Sequence, residues 1–428
     1  MKRTPALKDF APPFAADTYS PANKRLIGPF FTNLNQSVYV PLITSPEVIG
    51  ALCSRTSRAA GDLRAIFLQE YIRPFLSPKR EAGERAAAWR DKVRYGQGLK
   101  QFIAFLQRHP ITEIFSNPRA RSFYTKWLAQ YGDDSIAQMA GTHLVYSSLS
   151  QVAIKHFEDQ RIGLAPIEKS TRYVDYSTKI KGQYLYYTDP TLQSLGLTKE
   201  YRRAMDGLFK TYVSLMPRLQ RWLQGQFPEE KPSVIEKKAF DTLRGLLPTS
   251  TLSQVAFFGN GQAFEYLVSR SLKHPLGEIR WAGERAYSEL SKVTPSFLRR
   301  VKDTDNQKVA TAYQEYLSGK GARLQPLVKK HLKGKPQKVS GPTVELIEFD
   351  PDGENKIIAG MLYAIPTNHH TWSHILRTVK KLSEAQKRKI IEMYFAGRTQ
   401  RWQKVGRALE NTYVRFELTM NIGAWRDL

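Results

Sequence analysis

The chain has 428 residues, 41% of them hydrophobic, and a formal net charge of +26 from 65 Lys and Arg against 39 Asp and Glu. That length holds two or more domains with ample cores, and the composition excludes a mostly disordered chain. No apolar run approaches the roughly 20 residues that span a bilayer, Met1-Lys2-Arg3-Thr4-Pro5 lacks the apolar stretch of a secretory signal, and the single Cys53 excludes an internal disulfide, so a cytoplasmic protein is expected. The surplus positive charge favours anionic partners (nucleotides, dinucleotide cofactors, polyglutamylated folates or nucleic acid) and serves solubility equally well.

Residues 1–44 are rich in Pro and aromatics and read as an irregular arm over the surface. A helix is expected from Ser45, with Ser45 as its cap, Pro46 and Glu47 in its first turn, and Val48, Ile49 and Leu52 as its buried stripe. Cys53 falls on that buried side as a small core residue. Residues 62–76 and 84–108 read as further helices, and Leu149–Phe157 is an apolar, helix-compatible run. In the stretch Arg161–Tyr173, Glu168, Ser170 and Arg172 alternate, so an extended backbone turns all three to one face. Such a trio suits a phosphorylated ligand carrying NH and OH groups, and it also describes a polar edge strand with a surface ion pair. Tyr184–Tyr187 reads as a strand, and Lys199–Gly225 and Ser233–Leu247 as helices. Ser250–Ser253 reads as the cap of a further helix carrying Asn260, Gln262, Arg270 and His274, the last two on one face. Gly319–Gly341 holds seven Lys or Arg and no acid, the composition of a linker.

Arg161-Ile162-Gly163 followed by Glu168-Lys169-Ser170-Thr171-Arg172-Tyr173 resembles the signature of the flavin-dependent thymidylate synthases, Arg-His-Arg, a spacer, then Asn-Glu-x-Ser-x-Arg-Tyr. This chain departs from it at Asp159-Gln160, where the family has Arg-His, and at Ile167, where it has Asn. Four further stretches resemble the family. Ser57 matches a phosphate-holding turn, and Ser135 keeps a hydroxyl of a stretch in which Asp133, Gln138 and Met139 replace His, Glu and His. Arg244-Gly-Leu-Leu-Pro248 matches Arg-x-x-Leu-Pro, and Asn260…Arg270…Glu278-Ile-Arg280 matches a run in which Gln262 replaces an arginine.

The resemblance implies an α+β, mostly helical fold with a small antiparallel sheet. It implies reductive methylation of dUMP to dTMP, with methylenetetrahydrofolate as carbon donor and NADPH-reduced FAD as hydride source. Catalytic roles fall to Arg270 and Ser170. Glu168, Ser170, Thr171, Arg172, Arg244 and His156 would bind the substrate; Ser57, Ser135, Gln138, Gln160, Arg161, Asn260, Gln262 and His274 would bind FAD; no metal is implied. The family's interface-built sites imply a homo-oligomer, either a dimer of tandem chains or a tetramer-like assembly.

The chain then begins again. Gly360-Met-Leu-Tyr363 parallels Gly50-Ala-Leu-Cys53, and Gly406–Glu410 parallels Gly132–Gln138 in the same order, a tandem duplication. Asp159 follows Gln138 by 21 residues, and the same step from Glu410 runs past Leu428, so the chain is expected to be a fragment whose second copy would continue into the missing arginines. The expected organisation is arm 1–44, first domain 45–318, basic linker 319–342 and an incomplete second domain 343–428. Two other functions stay open: a catalytically degenerate nucleotide-binding or scaffold member, and a nucleic-acid-binding protein. For the latter only the charge and the basic linker speak, with no stacking-aromatic RNA motif and no recognition helix.

Overall fold

The structure is a computed structural model describing residues 4–114, 116–130, 134–160, 163–302, 307–334, 340–400 and 402–427. It is α+β and mostly helical with small antiparallel sheets, in two units, Met1–Lys333 and Gly334–Leu428. Among the described residues no helix is long and apolar enough to cross a membrane.

The first unit is organised on four antiparallel strands: β1 (Val38–Tyr39), β2 (Gly141–Ser150), β3 (Leu164–Glu168) and β4 (Leu252–Asn260), in spatial order β1-β2-β4-β3. β4 is central, pairing with β2 from Gly141↔Asn260 to Ser150↔Leu252 and with β3 from Leu164↔Gly259 to Glu168↔Val255. Covered on both faces, β4 reads as a continuous buried run rather than an alternating one. This corrects the expectation of a helix cap at Ser250–Ser253. The Ser253 hydroxyl donates across to the Lys169 carbonyl (3.2 Å) instead of capping a helix. The run Leu149–Phe157 also divides. Its first two residues finish β2, and Ser150 then accepts from Ala153 N to start a helix at Gln151.

One face of the sheet, with Leu144, Tyr146, Val255 and Phe257, packs on three helices, Gln151–Glu158, Gly261–Ser271 and Gly277–Leu290, through Phe157, Phe264, Leu267 and Ala282. The other face, with Tyr39, Val145 and Ala256, packs on Ile27, Phe30 and Phe31, on Leu52 and Cys53 of the helix Pro46–Thr56, and on Ile103 of the helix Ala86–Arg108. The Pro46 helix starts as its sequence indicates, with Val48 N donating to the Ser45 hydroxyl. The amino-terminal arm is therefore corrected: its aromatic side chains are core, since eight buried hydrophobic residues from Phe10 to Val40 would otherwise leave large apolar area in water. A third core joins two further helices, Thr198–Gln226 and Pro232–Leu243, around Phe209, Tyr212 and Phe240.

In chain order we designate these helices α1 (Pro46–Thr56), α2 (Ala86–Arg108), α3 (Gln151–Glu158), α4 (Thr198–Gln226), α5 (Pro232–Leu243), α6 (Gly261–Ser271) and α7 (Gly277–Leu290). The eighth, α8 (Gln307–His331), runs through much of the basic stretch anticipated as linker, whose Ala, Leu, Lys and Arg are good helix formers despite Gly319 and Pro326. Residues 335–339 of that stretch lie outside the described residues.

The second unit has one two-stranded antiparallel sheet, β5 (Thr343–Phe349) with β6 (Val414–Thr419), and helices α9 (Gly353–Tyr363), α10 (Trp372–Val379) and α11 (Glu384–Phe395) around Ile358, Ala359, Ile375 and Val379. Its order is strand, helix, further helices, the 3-10 turn Arg407–Asn411, strand and the helix α12 (Ile422–Asp427). In the first unit, after the helical segments Leu7–Phe10, Pro21–Ile27 and Gly28–Phe30, a similar order follows: β1, α1, further helices, the 3-10 turn Asp134–Gln138, β2 and α3. In both, the first and last strands of the series pair antiparallel.

Candidate active site

The signature segment leaves the sheet as a turn. β3 gains one more ladder bond, Lys169 N to Gln254 O (2.8 Å), and Ser170 N then donates to Ser57 O (2.8 Å). Beyond Ser170 the chain reverses: Arg172 N donates to the Ser170 hydroxyl (3.2 Å), and Tyr173 N and Val174 N donate to the Ser170 carbonyl. A serine that bonds its own backbone two residues on favours a turn over extension. The alternation expected to put Glu168, Ser170 and Arg172 on one strand face therefore stops at Ser170. Glu168 accepts from Gln151 Nε2 (2.7 Å) at the start of α3, and Thr171 is buried.

Arg172 instead reaches α5. Its fork grips Asp241, Nε to Oδ1 at 2.9 Å and Nη2 to Oδ2 at 3.1 Å, and Arg244 Nε lies 3.2 Å from the same Oδ1. Two arginines 72 residues apart (244 − 172), both anticipated from sequence, thus meet on one carboxylate. Asp241 itself was missed; its only local signal is the three-residue spacing to Arg244. Next to Arg172, the Tyr173 ring has Arg58 at 5.4 Å and Lys237 at 5.9 Å.

Lys169, inside the signature, was also missed. Its ammonium donates to the Ala60 and Gly61 carbonyls (2.9 and 3.0 Å), tying the signature to the turn after α1. Burial pushes this amine down to about 8, with Asp62 and Asp17 pulling the other way. Ser57 sits beside the signature through its carbonyl, while its hydroxyl donates to Ser54 O (2.8 Å).

A second group gathers around α6. Asn260 caps it, accepting from Ala263 N (2.9 Å), and its amide occupies the space a side chain at Gly163 would need; Gly163 also has φ +70, so only glycine suits that position. Gln138 Nε2 donates to Gln262 Oε1 (2.8 Å), and Ser135 lies in the same 3-10 turn as Gln138. Arg161 and Asp133 lie outside the described residues.

At its other end α6 stops at Ser271, so His274 lies beyond the helix expected to carry it. Pro275 disfavours helical geometry at His274, whose Nδ1 accepts from Leu276 N (3.1 Å) in the turn before α7. His274 nevertheless meets His156 of α3, ring centres 4.5 Å apart. Burial, then the charges of His274 and Arg270, push His156 down to about 3; burial, Arg270 and Arg280 push His274 down. His156 is thus neutral at pH 7. Its Nε2 lies 3.4 Å from the Ser271 hydroxyl, which already donates to Leu267 O (2.6 Å), so the network assigns the ring proton to Nε2.

Gln160 tests whether a flavin suits this end. Its side chain is buried, its Nε2 donates weakly to His156 O (3.4 Å), and its Oε1 has no hydrogen-bond partner among the described residues. A buried acceptor without a donor is costly, and an N–H-bearing ring satisfies it. Asp159, standing where the family has a cation, is offset by Lys155 at 3.2 Å. The residues present fit a flavin's polar edge.

The two groups sit at opposite ends of β3. Gly163 adjoins Asn260, and Glu168 lies about 16 Å further along the strand at ~3.3 Å per residue. A separate cavity of about 520 Å³ between Lys24, Arg25, Phe31, Leu106 and Lys292 holds none of the residues anticipated from sequence.

Comparison with known proteins gives three kinds of match. The family described as thymidylate synthase complementing protein matches residues 82–296. UPF0159 proteins of Chlamydia pneumoniae and Chlamydia muridarum are each 32% identical, over 95% and 96% of this chain and 72% and 73% of their own. One from Thermoplasma acidophilum is 28% identical over 72% of this chain and 65% of its own. A solved UMP/dUMP methylase, PolB from Streptomyces cacaoi bound with 5-Br UMP, aligns with 46% of this chain and 84% of its own at 17% identity, with a TM-score of 0.31.

Proposed function

Because the chain belongs to the thymidylate synthase complementing protein family, the flavin-dependent thymidylate synthases, we propose that it methylates dUMP reductively to dTMP with methylenetetrahydrofolate, FAD and NADPH. The observation that carries this reading is the convergence of Arg172 and Arg244 on a single carboxylate, because a geometry that seats one doubly oxygenated anion also seats a nucleotide phosphate. Arg172 and Arg244 hold that phosphate, Ser170 and Thr171 line the turn beneath it, and Glu168 accepts from the sugar or base. Arg270 favours the N3-deprotonated pyrimidine by its charge. His156, neutral at pH 7 with its Nε2 proton directed at the Ser271 hydroxyl, would line the site without adding a second cation beside Arg270. Gln160, Asn260, Gln262, Gln138, Ser135, Ser57 and His274 would hold FAD, which supplies the hydride once reduced by NADPH.

The separation of the two groups along β3 favours sites completed by a second chain. The similar order of strands and helices supports the second unit as a shorter repeat of part of the first. In the test, purified protein supplied with FAD, NADPH and methylenetetrahydrofolate is assayed for dTMP. Arg172→Gln and Arg244→Gln should each raise the KM for dUMP at least roughly tenfold, in line with loss of a charge-assisted contact. Activity indifferent to both changes would remove the proposed phosphate seat. Asp159, Gln138 and Gln262, replacing charged or basic family residues, favour a second reading, a member that binds nucleotide without turnover. A colourless protein that dUMP still stabilises thermally would select it.

A further inference from the structure

We propose that Asp241 is an internal counter-anion that keeps Arg172 and Arg244 converged and is exchanged for the phosphate of the incoming nucleotide. Asp241 thereby tempers the affinity for phosphorylated pyrimidines while leaving that for unphosphorylated ones untouched. The inference rests on the dUMP reading and deepens it.

The carboxylate occupies the guanidinium edges a phosphate would need. Oδ1 takes Nε of both arginines, and Oδ2 takes Nη2 of Arg172. A carboxylate and a phosphate dianion cannot share those edges without strong like-charge repulsion, so the binding of one displaces the other. Exchange is physically accessible because the cluster is open: the side chains of Asp241 and Arg172 are 40% and 48% exposed, and an ion pair in that setting is held weakly. Arg244 is more enclosed, at 19%, and stays as the fixed wall. Asp241 lies on α5 three residues before Arg244, so backbone geometry keeps the acid beside the guanidinium without needing Arg172. Arg58 and Lys237, at the ring of the adjoining Tyr173, add positive charge that a dianion offsets better than one carboxylate does.

The test compares the whole chain with Asp241→Asn, which keeps size and one acceptor oxygen but removes the charge; Asp241→Ser serves as a second variant. Each is titrated with dUMP, deoxyuridine and inorganic phosphate at fixed ionic strength, by calorimetry and ligand-dependent Tm. Both variants should bind dUMP and phosphate roughly three- to tenfold tighter, the scale of removing one exposed competing charge, with deoxyuridine unaffected. Unchanged or weaker dUMP and phosphate binding, or an equal change for deoxyuridine, would overturn the proposal. The two readings fail separately. If no protein responds to dUMP while the variants gain phosphate affinity, the substrate assignment falls and the exchange stands; if dUMP binds all three equally, the reverse holds.

Discussion

Glu278 is a carboxyl held almost wholly out of water at the start of α7, with Ser150 N and the Ser150 hydroxyl donating to it at 2.7 and 2.6 Å. Those bonds favour the charged form, but burial outweighs them and pushes the group up to about 7 from 4.5. Between those two values the folded protein holds a proton that the unfolded chain has released. The group's contribution to stability is therefore full below about pH 4.5 and is lost as pH rises through about 7. Glu278→Gln removes the titration, so urea unfolding at pH 5 and pH 8 should show the wild type losing on the order of 3 kcal/mol relative to the variant. Parallel behaviour of the two proteins would mean that Glu278 is ionised throughout. Arg172 and Arg244 could be singled out in sequence because their neighbours carry a recognisable spacing, and the fold brings the two onto one carboxylate. Asp241 and the Gln160 oxygen could not, since their significance arises from partners and burial that only the folded chain creates.

Helices announced by local chemistry, such as α1 behind Ser45 and Pro46, formed where their caps and apolar spacing put them. β4 escaped because a strand buried on both faces has no alternation to read, and the α6–α7 break escaped because one Pro is a weak signal inside a long periodic run. The link between β3 and the turn after α1 was likewise invisible, being made by Lys169 to carbonyls more than a hundred residues away. That link has a pH signature. The folded amine titrates at about 8 against 10.5 in the unfolded chain, so between these values only the unfolded chain keeps the proton, and stability rises with pH. Lys169→Met abolishes this rise, so wild-type stability should climb relative to the variant from pH 8 to pH 10. A flat difference in denaturant midpoints over that window would show the ammonium to be solvated rather than clamped.

The sequence reads as a body followed by a shorter restart, and the chain folds as two units, Met1–Lys333 and Gly334–Leu428. The composition shift near Gly319 was visible, but the charge pattern could not tell a linker from an exposed helix, because both are basic and polar. Each unit draws its hydrophobic clusters from its own residues: the first from Phe31, Phe67, Tyr146, Phe209 and Phe257 with their neighbours, the second from Ile358, Ala359, Ile375 and Val379. A domain that owns its core unfolds as its own cooperative step. Calorimetry of the whole chain should therefore resolve two transitions. The smaller belongs to Gly334–Leu428, whose sheet has only two strands and leaves Val344, Leu346, Phe349 and Phe416 exposed. The fragment Met1–Lys333 expressed alone should retain the larger transition within a few degrees, about the shift that 1 kcal/mol produces in a domain this size. A single transition in the whole chain that disappears from the fragment would mean that the first unit depends on the second for its fold.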